Sequence, residues 1–463
     1  RAVVTRLMSS QPRSGFATDS SMSSKLMSYL QRWTYGQTPR DVWIILLIQL
    51  NVLIYAMSYW MQQPVLPFII ESLGTKLDSE TSSYSTVFGY FQTIVSLLQL
   101  IGGPIIGKYT DKAGAKKSLI LCQIGSALSY FFLTSSTSLQ LLFISRITTI
   151  LQQVMQTAQA SVAQLTDDRN REQCMGRLSM AYGIGMILGS AMGGIITKFT
   201  SIQINAAAAG LTSLLIAILD IAFLPALKAS HEMPSKEDKA HSAKQEGVFG
   251  HFGEIISLTL RPRVRGVCVF LFAAAFGITL YRSMFSLIFK EVFHFEGWQL
   301  GFFISYAALI STLSNSFFVG WVKARYDDNS IVRFCVLTLS VCLGVFGYGC
   351  THQFLDIVGL CMIAIPQTIA SGFLYVMISG YVSRIVDKTE MGTAIALTHA
   401  LRSLTGVIAP SIGGNLVQYG GYQWIGYFGF CSGLLSIGLF NTLIVNAETS
   451  SDAHKRTAEN DKK

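Results

Sequence analysis

The chain has 463 residues, of which 51% are hydrophobic and only 13% are charged, and its formal net charge is +9. A soluble domain carries about 25% charged residues, so this composition excludes an ordinary soluble protein. In so apolar a chain the positive charge fits basic loops that face anionic lipid headgroups, and we do not expect nucleic acid as a partner.

Apolar runs of about 20 residues, long enough to cross a bilayer, recur twelve times. They lie near 42–62, 86–107, 118–136, 139–165, 174–197, 203–227, 266–289, 298–322, 331–350, 354–382, 391–417 and 422–445. Most of the Lys and Arg residues lie in the two tails and the even-numbered connections, whereas the odd-numbered connections hold only Lys76, Lys198 and Lys290. Because cytoplasmic loops are enriched in Lys and Arg, we expect a multi-pass integral membrane protein with both termini cytoplasmic, in the plasma membrane or an internal membrane.

The tails and the cysteines offer few further signals. Residues 1–41 are rich in Ser and Arg, with Asp19 and Asp41 as the only acids. Transit peptides and cytoplasmic tails share this composition, and we interpret the segment as a cytoplasmic tail, like residues 446–463. The eight cysteines show no C-x-x-C spacing, so we expect neither a metal site nor a disulfide framework.

A long charged connection divides the chain. Residues 228–265 separate the sixth and seventh runs and far exceed the other connections in length, which predicts a cytoplasmic linker between six-helix halves at 42–227 and 266–445. The halves look related, because the pair Gly193-Gly194 of the fifth run recurs as Gly413-Gly414 in the eleventh. Such a repeat is typical of transporters, in which two bundles rock around a site between them.

Small residues recur every four positions in these two runs. The fifth run carries Gly185, Gly189 and Gly193, and the eleventh carries Gly406, Pro410 and Gly414. This spacing places each set on one face of a helix, where another helix can approach closely. Pro410 also predicts a kink.

A basic segment follows the second run, from Gly107 to Lys117. Its glycines would allow a tight turn. Asp111, which lies among lysines, can accept hydrogen bonds from a helix N-terminus or pair with a cation when the halves close on the cytoplasmic side. The predicted gating loop comprises Gly107, Asp111, Lys112, Gly114, Lys116 and Lys117.

Polar side chains recur at helical spacing inside the first, fourth, seventh and tenth runs. Lipid penalises such stripes, so they should face protein or water. The predicted substrate cavity comprises Asn51, Tyr55, Gln62, Arg146, Gln153, Gln156, Arg282, Gln367 and Tyr375, together with His399 and Arg402 from the eleventh run. For any single amide or hydroxyl among them, hydrogen bonding between helices is the alternative role.

The basic segment resembles the signature loop of the major facilitator superfamily. The fifth run resembles the G-x-x-x-G-P-x-x-G-G signature of its drug:proton antiporter branch, with Ser190 in the usual place of Pro, and residues 88–104 are similar to organic-cation-transporter-like members. The resemblance implies an all-α membrane protein with twelve transmembrane helices in two pseudo-symmetric six-helix bundles. It also implies alternating access, an organic cation or drug-like substrate, and proton coupling as an option. The second copy of the loop departs from the pattern, since Ala324 stands where an acid would be.

The charges inside the runs point to a different substrate. Arg146, Arg282 and Arg402 lie within runs, and Asp220 is the one acid clearly inside. A cationic cavity suits an anionic or lipid-like compound, so a transporter or flippase of such a substrate remains an alternative, as does a non-transporting scaffold or sensor. No P-loop and no catalytic or metal-ligand set is evident, so we expect no enzyme and no cofactor. The expected partners are a small-molecule solute and membrane lipids, with the protein a monomer.

Overall fold

The computed structural model describes residues 39–74, 84–166, 168–225, 259, 261–315, 319–385 and 391–445, and the regular structure in these ranges is entirely helical. The first half holds α1 Pro39–Gln62, α2 Leu66–Gly74, α3 Tyr84–Ala113, α4 Ala115–Thr134, α5 Leu139–Ser145, α6 Val154–Leu165, α7 Asp168–Phe199 and α8 Ile202–Phe223. The second half holds α9 Pro262–Glu291, α10 Gly297–Leu313, α11 Val319–Lys323, α12 Asp328–His352, α13 Ile357–Ile385, α14 Met391–Gly420 and α15 Gln423–Phe440.

The twelve predicted apolar runs are helical along most of their lengths. Within the described ranges, nine helices are long and apolar enough to cross a membrane. The count of twelve crossings therefore stays a prediction. The predicted tails and most of the linker 228–265 lie outside the described residues, so the domain boundaries also stay predictions.

The fourth run is not one helix. Helix α5 ends at Ser145, a 3-10 turn spans Ile147–Leu151, and α6 begins only at Val154. The backbone leaves helical geometry at Gln152, where φ is −78° and ψ is 59°. Gly102 of α3 makes room for the turn, because an added Cβ there would collide with the carbonyl oxygen of Ile150.

The helix contacts of the first half recur in the second half. Helix α1 packs against α7 and α8, and α4 packs against α8. In the same way α9 packs against α14 and α15, and α12 packs against α15. Each pair corresponds to the other after a shift of six predicted spans, which is the contact pattern of two related bundles.

Glycines let α7 lie directly on α1. A Cβ added to Gly185, Gly189 or Gly193 would collide with backbone atoms of α1, at Leu53, Met57 and Met61 respectively. The two helices therefore approach until their backbones touch, as the four-residue spacing predicts for small residues in membrane helices.

Candidate functional site

The two halves meet along two helix pairs, α3 with α14 and α7 with α10. We call the end of the molecule where α1 begins the terminal side, and the end where α1 finishes the far side. In the first pair, Gly89 lies against Pro410 and Gly414, and Ser85 donates a hydrogen bond of 3.2 Å to the Gly414 carbonyl oxygen. Contacts of this pair reach inward as far as Ser96 and Gly406.

The second pair is equally close. Gly194 of α7 lies against the backbone of Gly297 and Trp298, and the Ser190 and Ser305 hydroxyls share a hydrogen bond of 2.7 Å. The Ser305 hydroxyl also contacts the Ile187 carbonyl oxygen at 2.8 Å. Together, the two helix pairs form what we call the far-side seal.

Two lysines from the odd-numbered connections reinforce this seal. Lys290, at the end of α9, forms a salt bridge of 2.9 Å with Glu71 of α2, and its ammonium lies over the rings of Phe68 and Tyr84. Lys198, at the end of α7, lies 3.9 Å from the ring centroid of Trp298. Each contact joins one half to the other.

The apolar core follows the same division. One cluster contains buried residues of both halves on the far side, among them Ile70 and Phe88 with Phe289 and Leu300. Toward the terminal side the core separates into one cluster confined to the first half and one confined to the second.

Arginines lie where the halves diverge. Arg282 of α9 interacts electrostatically with Arg402 of α14 and with Tyr182 of α7. Both arginines are accessible to solvent although they lie in the middle of their helices and face the opposite half. Because the far side is sealed, this solvent reaches them from the terminal side, and the space between the halves is the candidate cavity.

Arg146, in the broken fourth run, is linked to this region through Tyr59, which interacts electrostatically with both Arg146 and Tyr182. Its side chain is 7% exposed, and its guanidinium lies 5.3 Å from the ring centroid of Phe91. Its Nε and Nη2 atoms have no hydrogen-bond partner among the described residues. Tyr59 and Tyr130 are the groups that act on it electrostatically, so a buried positive charge has no acidic neighbour in the described part of the chain.

The break beside Arg146 adds to the positive potential. Helix α6 starts at Val154, directly after it, and its first backbone N–H groups give that end a partial positive charge. Irregular backbone at membrane depth is tolerated only inside protein or at a water-filled cavity. Tyr55 stabilises the break by donating a 3.2 Å hydrogen bond to the Gln152 carbonyl oxygen.

Other predicted cavity residues are positioned as follows. Gln153 donates a hydrogen bond of 2.9 Å to the Gln99 carbonyl oxygen, and Gln156 is exposed beside Gly103 and Gly107. Gln367 of α13 hydrogen-bonds to Tyr281, which neighbours Arg282. The side chains of Tyr375 and His399 lie outside the described residues.

Asn51 and Gln62 do not join the arginines. Asn51 is buried and donates a hydrogen bond of 2.7 Å to Asp220, while Gln62 contacts the Asn205 carbonyl oxygen at 3.4 Å. Both side chains lie between α1 and α8, inside the first half. We therefore assign them to that interior rather than to the cavity, because helical spacing identifies a polar stripe but not the neighbour that it faces.

Aromatic residues near the arginines were not predicted. Tyr182 accepts a hydrogen bond of 3.1 Å from the Trp60 indole, and it interacts electrostatically with Tyr59 as well as with Arg282 and Arg402. Tyr59 also faces Gln99. Their amphipathic rings resemble ordinary membrane-helix residues in sequence, so only the helical offset of Tyr59 from Tyr55 offered a signal.

The basic segment is mostly helix. Helix α3 continues through Gly107 to Ala113, so the expected turn at Gly107 is wrong. The turn lies at Gly114, whose φ of 83° favours glycine. Asp111 and Lys112 are exposed and make no salt bridge or hydrogen bond within the described ranges, whereas Lys116 donates a 3.1 Å hydrogen bond to the Ile221 carbonyl oxygen in the same half.

A sealed far side, a solvent-accessible cationic centre and two halves with matching helix contacts are features of a membrane transporter. The family model of the major facilitator superfamily matches residues 49–355 and 336–462. The chain belongs to the major facilitator superfamily, as its basic loop and glycine runs predicted.

Several relatives match nearly the whole chain. Solute carrier family 22 member 18 of Mus musculus is 28% identical over 392 residues, covering 83% of this chain and 92% of its own length. The class H tetracycline resistance protein of Pasteurella multocida is 22% identical over 390 residues, 82% of this chain and 91% of its own. These relatives confirm the predicted likeness to the drug:proton antiporter branch.

Solved structures share the fold. The human organic anion transporter MFSD10 superposes with a TM-score of 0.64 at 18% identity, covering 87% of this chain and 100% of its own. A D-xylose–proton symporter gives a TM-score of 0.68 at 14% identity, covering 87% and 97%.

Proposed function

We propose that this secondary transporter carries a small organic anion by alternating access. The observation that supports this is Arg146, a buried guanidinium without an acidic partner among the described residues. A charge in the middle of a membrane costs about 2.5–3.5 kcal/mol on insertion scales. A bound carboxylate, sulfonate or phosphate would offset that cost through charge-assisted hydrogen bonds.

Further positive potential surrounds this position. Arg282 and Arg402 lie close enough to repel each other, and α6 begins at Val154 in the same broken span as Arg146. Discontinuous membrane helices bind anionic groups of substrates at such half-helix N-termini. The cavity thus attracts an anion from several helices of both halves.

The organic-cation alternative rests on relatives. Tetracycline and multidrug resistance proteins are among them, but so is a fold neighbour described as an organic anion transporter. A cation-binding cavity needs a carboxylate. In the described part of the chain, the intramembrane carboxylate is Asp220, and it is buried between α1, α4 and α8.

We further propose that the terminal side is cytoplasmic and that the structure is open toward the cytoplasm. Two six-helix halves, at 42–227 and 266–445, would rock about the cavity, tethered by the linker 228–265. The basic even-numbered connections support this orientation. A monomer surrounded by lipid is sufficient, since both halves of the cavity come from one chain.

Flux into proteoliposomes tests the proposal. The purified full chain would be reconstituted, and uptake of fluorescein, an anion, would be compared with uptake of tetraphenylphosphonium, a lipophilic cation. We expect saturable fluorescein uptake above that of empty vesicles. Selective tetraphenylphosphonium flux would favour the organic cation, flipping of a fluorescent phospholipid would favour the lipid-like substrate, and absence of all three would favour the scaffold.

A further inference from the structure

A second polar region lies inside the first half, away from the cavity. Buried polar side chains of α1, α4 and α8 face one another along most of the length of α8. We call this set, together with the half-buried Thr212, the polar seam: Asn51, Ser58, Gln62, Gln123, Tyr130, Asn205, Ser213 and Asp220. Asn205 and Asp220 are 15 residues apart on α8, about 22 Å at the helical rise.

Unpartnered atoms concentrate on this seam. Of the 13 buried side-chain N and O atoms without a hydrogen-bond partner in the described structure, six belong to it. They are Gln62 Oε1, Gln123 Oε1, Tyr130 Oη, Asn205 Oδ1, Ser213 Oγ and Asp220 Oδ2. Since buried polar groups that lack protein partners are generally satisfied by water, this clustering indicates a hydrated seam.

At the terminal end of the seam, the side-chain amides of Asn51 and Gln123 can be oriented in only one way. Asn51 Nδ2 lies 2.7 Å from Asp220 Oδ1 and 3.1 Å from the Leu47 carbonyl oxygen, both of which are acceptors. Gln123 Nε2 lies 3.2 Å from Asn51 Oδ1 and 3.5 Å from the Asn51 carbonyl oxygen, again both acceptors. Neither amide can be reversed without placing oxygen against oxygen.

This direction leaves two acceptors without donors. Asp220 Oδ2 and Gln123 Oε1 are both buried and unpartnered within the described ranges. An ionised carboxylate only accepts hydrogen bonds, whereas a protonated one gains an O–H donor. Protonation of Asp220 would therefore add a donor at Oδ2 and remove the negative charge from this buried position.

The neighbouring positive charge of Lys116 does not take the place of a proton on Asp220. Asp220 is 1% exposed, and the charged group that acts on it is Lys116 of α4. The Lys116 ammonium is committed to the Ile221 carbonyl oxygen at 3.1 Å. From α1 the facing group is the neutral Asn51, and from α4 the neutral Gln123. Among the described residues, no group of three or more His, Cys, Asp or Glu side chains is placed to hold a metal ion here.

We propose that Asp220, Asn51 and Gln123 form a proton-binding site inside the first half, with the polar seam as its hydrated connection toward the far side. Asp220 itself interacts with Asn51 and Lys116, and the seam comes near the arginines only at Tyr130, which interacts electrostatically with Arg146. Protonation of Asp220 would therefore act on the α1–α8 packing rather than on the solute directly. The inference goes beyond the proposed transport of an anion and does not depend on the charge of the solute.

Difference infrared spectroscopy on the reconstituted full chain tests the site without any substrate. We expect the carbonyl-stretch band of a protonated carboxylic acid, which downshifts in D2O and disappears as pH rises. Asp220→Asn should abolish this band, whereas Asp356→Asn, at an exposed helix cap, should leave it unchanged. Gln123→Leu should shift the band because it removes the group that donates to Asn51, the hydrogen-bond partner of Asp220.

The conservative variants Asp220→Asn and Tyr130→Phe distinguish loss of the proton-binding site from a folding defect. Asp220→Asn retains the shape of the carboxyl, keeps an acceptor for Asn51 and is uncharged like the protonated acid, so it should fold like the wild type. Tyr130→Phe, in the seam, should slow the D2O shift. A band that survives Asp220→Asn, or that sodium ions suppress at constant pH, would overturn the proposal. Absence of fluorescein flux with the band intact would instead contradict only the proposed function.

Discussion

The far side and the terminal side of this transporter differ in how the halves meet. On the far side a shared apolar core, two glycine-lined helix pairs and two lysines join the halves. On the terminal side each half has its own core, and Asp111 is exposed. The far-side contacts are thus formed in this structure, whereas the predicted gating residue Asp111 makes no salt bridge or hydrogen bond among the described residues. That difference is what alternating access requires.

The largest effect should come from removing the charge of the cavity. Arg146→Gln deletes the buried guanidinium that we assign to the bound anion. A hydrogen bond to a charged group contributes about 1.5–3 kcal/mol, so fluorescein uptake should fall roughly 10- to 100-fold. Arg333→Gln, at an exposed arginine of α12, is the matched control and should transport normally. Equal losses in both variants would contradict the assignment.

A somewhat smaller effect should follow from Gly89→Ala. The added Cβ would meet the Pro410 carbonyl oxygen and force α3 away from α14. Overpacking costs about 1–3 kcal/mol. In Gly89→Ala it would destabilise the state in which the far side is closed. With Ser85→Cys as the reporter, labelling by a membrane-impermeant maleimide should accelerate about tenfold relative to the same reporter variant with Gly89 retained.

The matched control for this change is Gly176→Ala. It makes the same substitution in a helix, but an added Cβ at Gly176 meets nothing within 4 Å. Its labelling rate should equal that of the parent protein. If both alanine variants behave alike, the far-side seal does not depend on the close approach of these helices.

Asp111→Asn should destabilise the state that is closed at the terminal side. Asp111 has no partner among the described residues while the terminal side is open, so the substitution should not change the thermal stability of this form. It should weaken the form closed at the terminal side by about 1–2 kcal/mol through a lost charge-assisted contact. Fluorescein uptake should therefore slow several-fold with an unchanged melting temperature. Normal uptake would remove Asp111 from the gate.

The smallest effect should come from the salt bridge of Lys290. Glu71→Gln breaks the contact that crosses between the halves, while Glu291→Gln breaks a 2.6 Å contact within one helix end. Glu71 is about half exposed, so the pair contributes at most about 1 kcal/mol. We expect a two- to fivefold rise in maleimide labelling for Glu71→Gln and none for Glu291→Gln. Identical responses would mean that the bridge does not stabilise the seal.

Much of this architecture was predictable from sequence, because apolar run length and glycine spacing report directly on membrane helices and their close packing. The break at Gln152 was not predictable, since it depends on room that Gly102 provides on another helix. In the sequence, Lys198 and Lys290 stood out because the odd-numbered connections hold almost no other Lys or Arg. Their partners in the opposite half are set by tertiary contacts, which the sequence does not show. Asn51 was predicted to line the cavity because helical spacing does not show which neighbour a polar side chain faces.

In the mechanism that we propose, the two sides open and close reciprocally around the cationic cavity. Spin labels would replace Phe199 and Tyr419 on the far side, or Lys117 and Lys323 on the terminal side, in a background with Cys361 and Cys431 changed to Ser. Electron–electron distance measurements in proteoliposomes should show the terminal-side distance shortening and the far-side distance lengthening when fluorescein is added. Distances that stay fixed at both ends, or that change in the same direction, would contradict the account.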